Sequence, residues 1–283
     1  MKNQIYVSSL AFAGKSITDI SKIAKKYNLA VEFTSSFKYS AELKENFLKA
    51  NIKKSIHNYF PPPESRFVLN LASENEVIRK KSIDHCIEGL KISSDVNSDF
   101  FAAHAGFCID PKSYELGNRI NYKLDFNKEN NKLIFIDSVR EILKSTESLN
   151  TMFFIENNVI SMENMDGDIN PLLCCDSSEI IWLFNGIKDP KFGILLDTAH
   201  FKVSCKTLNN NIDDEFNKIR PYVKAIHHSD NDGYIDNNMP ISENYWFINY
   251  LKYFKNATHV IEVKNLDETE IIEQINILKK AWI

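Results

Sequence analysis

Short apolar runs alternate with longer amphipathic stretches from one end of the chain to the other. The apolar runs predict β-strands, because each is short and rich in β-branched or aromatic side chains. Eight strands are predicted, at residues 5–9, 30–34, 54–57, 100–104, 152–156, 192–197, 223–227 and 259–263. The intervening stretches predict helices at residues 17–27, 41–50, 75–93, 134–146, 177–185, 212–219, 244–254 and 268–281.

The helix predicted at residues 75–93 shows the helical period most clearly. Its apolar positions fall on one stripe and its charged positions on the opposite side, which is typical of a helix packed on a sheet. The stripe consists of Val77, Ile83, Cys86, Ile87 and Leu90.

Regular alternation of strands and helices predicts parallel strands, because each crossover needs a helix to return the chain. Eight such units can close into a (β/α)8 TIM barrel, and we interpret residues 1–283 as one domain of this kind. An open doubly wound sheet is the competing topology. Two long loops, at residues 58–74 and 108–132, follow predicted strands and would lie on the catalytic face of a barrel.

Composition describes an ordinary globular protein. Of its 283 residues 43% are hydrophobic and 25% charged, and the formal net charge is −4, so no nucleic-acid or membrane partner is expected. Five cysteines without a CxxC pair favour a reduced, cytoplasmic protein. The sequence lacks a Rossmann or P-loop glycine motif, and it leaves open a homo-oligomer.

Metal-binding or titratable side chains stand at the ends of six successive predicted strands. Because the carboxyl ends of barrel strands meet at one mouth, these side chains should converge there. They are His57, His104, Glu156, Asp197, His227 and Glu262, with His200 and Asp230 close behind two of them. By alternation His228 should face away from the barrel interior.

The parity of two strands supports this arrangement. Phe154 and Glu156 share one face of the fifth strand, and Val260, Glu262 and Lys264 share one face of the eighth. Carboxylates combined with an imidazole suit manganese, cobalt, magnesium, iron or zinc better than a metal that prefers thiolates. We therefore predict a divalent metal site at the mouth, with His57, His104 and Lys264 as substrate ligands.

Several segments resemble the xylose isomerase-like barrel superfamily, which contains sugar isomerases, epimerases and apurinic endonucleases. They are SIHNYFPPP, AAHAGF, IENN, GILLDTAH, AIHHSDNDG and VIEVK, spread over nearly the whole chain. The most specific part is Asp197-x-x-His200 followed by His227-x-x-Asp230.

The resemblance to the epimerase branch implies one divalent ion, often manganese, held by Glu156, Asp197, His227 and Glu262. In that branch the histidine at the position of His200 contacts the substrate. The implied reaction is isomerisation or epimerisation of a small sugar or sugar derivative. Glu156 and Glu262 would move a proton through a cis-enediolate while the metal polarises the substrate oxygens.

The endonuclease branch binds three zinc ions and uses the histidines at positions 57 and 104 as additional ligands. It also needs an Asp-x-His pair after strand seven, whereas this sequence has Asp236 and Asn238 there. A neutral amide is a poor zinc ligand, so one zinc should be lost. We interpret Asp230 and Asp236 as residues that support the ligands rather than bind the ion.

Three alternatives remain open at the level of sequence: a metal-dependent dehydratase of the inosose-dehydratase type, an apurinic endonuclease-like hydrolase, and a non-catalytic barrel that binds a sugar or a partner. The two long loops should select the substrate. Arg66, Arg119 and Lys123 lie in these loops and are candidates for contact with a phosphate or carboxylate.

Overall fold

A computed structural model describes residues 4–282 and contains eight parallel strands. The strands alternate with helices along the whole described chain, so the predicted barrel topology is confirmed and the open-sheet alternative is not. The strands are β1 (Gln4–Ser8), β2 (Ala30–Phe33), β3 (Lys54–Ile56), β4 (Phe100–His104), β5 (Met152–Glu156), β6 (Phe192–Asp197), β7 (Val223–His228) and β8 (Thr258–Ile261).

The barrel is nearly closed. Strands pair in the order β3-β2-β1-β8-β7-β6-β5-β4, which leaves β3 and β4 as the two ends of the sheet. In the described part of the chain a single parallel bridge, His57 to Ala102, joins these ends, and the Asn58 N–H donates to the Ala102 carbonyl at 2.9 Å. The seam therefore closes at the level where β3 ends.

Within residues 4–282 eight α-helices surround the barrel, and most of them match the prediction. They are α1 (Ile17–Tyr27), α2 (Leu43–Lys49), α3 (Glu76–Asp95), α4 (Lys128–Ser145), α5 (Ser177–Ile187), α6 (Thr198–Thr207), α7 (Ile212–Ile219) and α8 (Glu268–Lys280). Polar side chains at their N-termini explain several boundaries: Asn127 caps α4, which therefore begins before the predicted residue 134.

Three predicted details differ from the structure. Helix α6 follows β6 directly and was not predicted, because Asp197 ends the strand and caps the helix at once. The segment expected to be helical at 244–254 forms a 3-10 helix, Ile248–Tyr253. Val77 belongs to the first turn of α3 and is 77% exposed, so it is not part of the buried stripe.

Two packed clusters fill the barrel interior below the mouth. One contains Tyr6, Ala30 and Val260, and the other contains Phe100, Ala102, Phe154, Leu195 and Ala225. The rings of Phe100 and Phe154 stack with centroids 4.7 Å apart. The predicted inward faces of β5 and β8 are therefore confirmed, since Phe154 and Val260 point inward.

All five cysteines are buried free thiols. Among residues 4–282, none of the helices has the length and apolar character needed to cross a bilayer.

Candidate metal centre

The six residues predicted at strand ends meet at the C-terminal mouth of the barrel. His104, Glu156 and Asp197 are the last residues of β4, β5 and β6, and the other three lie within one residue of a strand end. Five of the six are buried, and His104 is 32% exposed toward the mouth. A barrel interior seldom holds this many ionisable groups without a function for them.

Four of these side chains form one compact set. A ligand atom from each of Glu156, Asp197, His227 and Glu262 lies within 4.8 Å of the others. His227 Nδ1 is 2.8 Å from Glu262 Oε2 and 3.5 Å from Glu156 Oε1. Three carboxylates and one imidazole at this spacing form an oxygen-rich set that suits a divalent ion.

A second set shares Glu156 with the first. His57 Nε2 lies 2.9 Å and His104 Nδ1 3.3 Å from Glu156 Oε2, so the two oxygens of Glu156 face different groups. A carboxylate placed in this way can bridge two ions. The sequence predicted one ion and assigned His57 and His104 to substrate, whereas their geometry also suits a second ion.

Several buried polar atoms in the cluster lack hydrogen-bond partners, and this shows whether the residues fit a cation. Both oxygens of Glu156, Oδ2 of Asp197 and Nδ1 of His227 are buried and make no hydrogen bond, although other ligand atoms lie within 4 Å. Buried polar atoms are normally satisfied. Atoms that converge without bonding to one another are those that a metal ion would satisfy, so the residues fit the group.

Asp197 is oriented by its backbone surroundings. Its Oδ1 accepts the N–H groups of Ala199 and His200 at 2.8 Å, which caps α6 and leaves Oδ2 toward the other ligands. Burial, assisted by Glu262 and Glu156, raises the pKa of Asp197 well above its usual range. This carboxylate needs a neighbouring cation or proton.

Electrostatic balance inside the cluster comes from imidazoles. Burial opposes ionisation of Glu156, but His104 and His57 outweigh it and hold its pKa well below the usual range. Burial opposes ionisation of Glu262 in the same way, and His227 lowers its pKa to about 2. A bound divalent ion supplies the same compensation, so metal and protons should compete for the site.

His200 lies beside the cluster. Its Nδ1 donates to the Asn157 carbonyl at 3.0 Å, and its Nε2 is 3.2 Å from Asp236 Oδ2. Asn238 is buried, and its carbonyl accepts the Lys264 N–H at 3.3 Å. Among the described residues, His200 and Asp236 are the ion pair found at this place, and Asn238 offers an amide where a third ion would need an imidazole.

Two other predicted residues lie away from the cluster. Asp230 accepts from Lys202 Nζ at 2.6 Å and from the Asn231 N–H at 2.9 Å, so it stabilises the loop after β7. The Lys264 side chain is exposed and is not among the residues that line the mouth cavity. Substrate contact by Lys264 stays a prediction.

Sequence reasoning missed Glu32 and Asn157. Glu32 lies inside β2, fully buried, and its Oε1 accepts from His227 Nε2 at 2.9 Å. Asn157 follows Glu156 and binds the backbone of Asp197. The alternation of side chains along a strand could have identified Glu32. Glu32 is two residues from Ala30 in β2, so both side chains face inward, and Ala30 packs inside the barrel.

A cavity of about 680 Å³ opens above the cluster. His104, His200 and Asp236 line its floor, and the loops after β4, β5 and β7 form its walls. Arg119 is the only lysine or arginine among its lining residues in the described chain. Exposed apolar side chains stand on the wall, namely Leu116, Met162, Tyr234 and Ile235.

Comparison with known proteins gives a consistent picture of the fold. The family model described as "Xylose isomerase-like TIM barrel" matches residues 9–280. A crystal structure of a D-tagatose 3-epimerase-like protein has a TM-score of 0.73 at 20% identity and covers 99% of this chain and 97% of that one. D-psicose 3-epimerase from Clostridium cellulolyticum H10, solved with D-tagatose, has a TM-score of 0.64 at 15% identity and covers 100% and 96%.

Curated sequence relatives include a protein named "Probable endonuclease 4" from a Sulfurihydrogenibium species. It is 28% identical over 179 residues, which is 63% of this chain and 54% of that relative. The chain thus aligns with about half of the relative's length.

Proposed function

Because this chain belongs to the xylose isomerase-like TIM-barrel family, we propose that it is a divalent-metal-dependent isomerase or epimerase of a small carbohydrate. The observation that carries the proposal is the buried set of Glu156, Asp197, His227 and Glu262. Two members of this set are glutamates from strands that are not neighbours in the sheet: Glu156 ends β5, and Glu262 follows β8.

The reaction would begin with removal of a proton from a carbon beside a carbonyl. The bound ion would polarise the carbonyl and hydroxyl oxygens and so acidify that C–H. Glu262, ionised by its contact with His227, is the candidate base on one side. Glu156 is the candidate acid on the other side: it would deliver a proton gained from solvent to the enediolate, while Glu262 would release its own proton to solvent, which gives an epimer or an isomer.

The walls of the cavity favour an uncharged carbohydrate. The loops after β5 and β7, residues 157–176 and 229–247, contain eight carboxylates and no lysine or arginine, and two of these carboxylates, Glu163 and Asp236, line the cavity. Lys202 and Lys206 of α6 contact the second loop at Asp230 and at the Asp232 carbonyl, so Glu163 and Asp236 supply the negative charge that disfavours a phosphodiester or a sugar phosphate in the cavity. Among the cavity-lining residues that the structure describes, Arg119 alone offers a cation to a negatively charged group.

A second candidate function is metal-dependent phosphodiester hydrolysis. Two observations favour it: Glu156 lies between two ligand sets, as in two-metal hydrolases, and a sequence relative bears the name endonuclease 4. The acidic loops argue against this activity. A dehydratase would share the first proton abstraction with the isomerase and differ in its product.

The test is proton exchange with solvent. Protein stripped of metal and reloaded with Mn²⁺ is incubated in D2O with a panel of neutral ketoses and keto-glycosides, and NMR follows the carbinol C–H signals. We expect deuterium at one former C–H position, formation of an epimer or isomer, and rates at least ~100-fold lower in Glu262→Gln, the usual scale for loss of a general base.

Loss of the hydroxyl group from the carbon next to the one that exchanges its proton, with formation of a dehydrated product, would identify a dehydratase. Failure to exchange deuterium with any of these carbohydrates, together with cleavage of a duplex containing an abasic site, would replace the proposal with the hydrolase.

A further inference from the structure

Glu32 is a charged residue in an apolar setting. It lies in β2 with no exposed surface, on the inward face of the barrel, above the cluster formed by Tyr6, Ala30 and Val260. Burying a carboxylate is costly unless a partner compensates it. Packing alone would favour an apolar side chain at this position.

The compensation comes from imidazole. Within residues 4–282, the only group of opposite charge within 4.0 Å of Glu32 is His227, whose Nε2 is 2.9 Å from Glu32 Oε1. The opposite ring nitrogen, Nδ1, points at Glu262, Glu156 and Asp197. His227 thus has one nitrogen on Glu32 and the other toward the candidate metal position.

The same carboxylate also lies near the second ligand set. Glu32, His57 and His227 each offer a ligand atom within 4.8 Å of the others, and the His57 and His227 rings are 4.9 Å apart, edge to face. Glu32 Oε2 and His57 Nδ1 are both buried without a hydrogen bond. Glu32 therefore lies next to one histidine of each ligand set, His227 of the first and His57 of the second.

We propose that Glu32 is a positioning residue that fixes the tautomer and ring orientation of His227, so that Nδ1 is free to bind the metal. An imidazole that donates Nε2–H to a carboxylate must present an unprotonated Nδ1 when it ligates an ion, and the carboxylate increases the basicity of that nitrogen. The inference rests on the metal centre in the proposed function and adds a role for a residue outside the ligand sets.

The experiment measures Zn²⁺ affinity of metal-free protein by calorimetry. Glu32→Gln preserves size but removes the charge, and we expect about 10–100-fold weaker binding at the position that uses His227, the usual effect of losing such a partner. Glu32→Asp should restore part of the affinity. The matched control is Glu215→Gln, which removes another buried carboxylate, one that accepts the Ser177 N–H at the start of α5 and belongs to neither ligand set.

A second measurement separates positioning from general stability. In zinc-loaded wild type, long-range proton–nitrogen NMR should show His227 protonated at Nε2, and this signal should shift or broaden in Glu32→Gln. Denaturant unfolding of the metal-free variants gives the purely structural effect.

Affinity of Glu32→Gln within about twofold of wild type would overturn the positioning role even if the enzyme turned over carbohydrate normally. Loss of one whole equivalent of zinc in Glu32→Gln, with the remaining affinity unchanged, would also overturn it, because Glu32 would then be a ligand. Failure of wild type to bind any divalent ion would overturn both the role and the metal centre.

Discussion

Asn157 and Asp197 are joined by two hydrogen bonds across the ends of neighbouring strands. The Asp197 N–H donates to Asn157 Oδ1 at 2.8 Å, and Asn157 Nδ2 donates to the Asp197 carbonyl at 3.1 Å. The Asn157 carbonyl also accepts from His200 Nδ1. Asn157 therefore holds the backbone of a candidate ligand, Asp197, through its side chain and the ring of a candidate substrate contact, His200, through its carbonyl.

Replacing Asn157 should weaken metal binding without touching a ligand. Asn157→Ala removes both hydrogen bonds and should cost about 1–3 kcal/mol of stability and ~10-fold in Zn²⁺ affinity. Asn157→Asp should be worse, because it places a carboxylate against the Asp197 carbonyl. Calorimetry measures the Zn²⁺ affinity of each variant. The control is Asn276→Ala, which changes an exposed residue of α8. Equal affinity in all four proteins would contradict the prediction.

The number of metal ions bound by single variants should show whether the two ligand sets are separate binding positions. Asp197→Ala should abolish binding at the four-residue set, whereas His104→Ala should affect only the position shared by His57, His104 and Glu156. Elemental analysis after dialysis, with titration of the metal-free proteins, gives the number of ions and their affinities. If His104→Ala lost all bound metal, the two sets would not be separate positions.

Stability should depend on pH through a buried histidine pair. His228 Nε2 is 2.8 Å from His259 Nδ1, and His259 Nε2 bonds the Phe254 carbonyl at 2.9 Å, so both rings are satisfied when neutral. Burial lowers the pKa of His259 to about 4, and burial together with His259 lowers the pKa of His228 well below its usual range.

The sign follows from these lowered values. Above about pH 6.5 these histidines are neutral in both the folded and the unfolded chain. Below about pH 6.5 only the unfolded chain binds protons at these positions, so the free energy of unfolding decreases as the pH is lowered from about 6.5 to 4. His259→Gln should flatten that decline. Urea unfolding at several pH values, with a chelator present, compares the two proteins, and parallel profiles would show that the pair contributes nothing.

Gly193 should resist substitution because it faces a crowded part of the barrel. A Cβ at this position would lie 2.6 Å from the Phe154 ring and 2.7 Å from Lys224 Cγ. We expect Gly193→Ala to destabilise by about 1–3 kcal/mol, as overpacking does. The double variant with Phe154→Leu should recover part of this loss. If the losses of stability in the two single variants simply added in the double variant, the strain would not come from the contact with Phe154.

The alternation of apolar strands and amphipathic helices was sufficient to predict the barrel and the strand ends. The sequence predicted that Glu156, Asp197, His227 and Glu262 would lie at one mouth because each stands where a strand ends, and parallel strands end at the same side of a barrel. Their role as metal ligands stays a prediction. Helix α6 was missed because Asp197 serves the strand and the helix cap together, and no turn residues separate the two.

Other parts of the site depend on distances across the barrel. The sequence shows neither that the two oxygens of Glu156 face different groups nor that Glu32, inside a strand, meets His227 from a strand far along the chain. Parity predicts only that Glu32 faces inward. Which inward residues touch depends on the register and tilt of all eight strands.

The seam between β3 and β4 gives the second ligand set another consequence. His57 follows β3 and His104 ends β4, the two strands that backbone hydrogen bonds join least in residues 4–282. An ion bound by both histidines would link the free edges of the sheet by coordination. Metal bound at this position would then reduce how often β3 and β4 separate. The backbone amides of these two strands should therefore exchange with solvent more slowly once metal is bound.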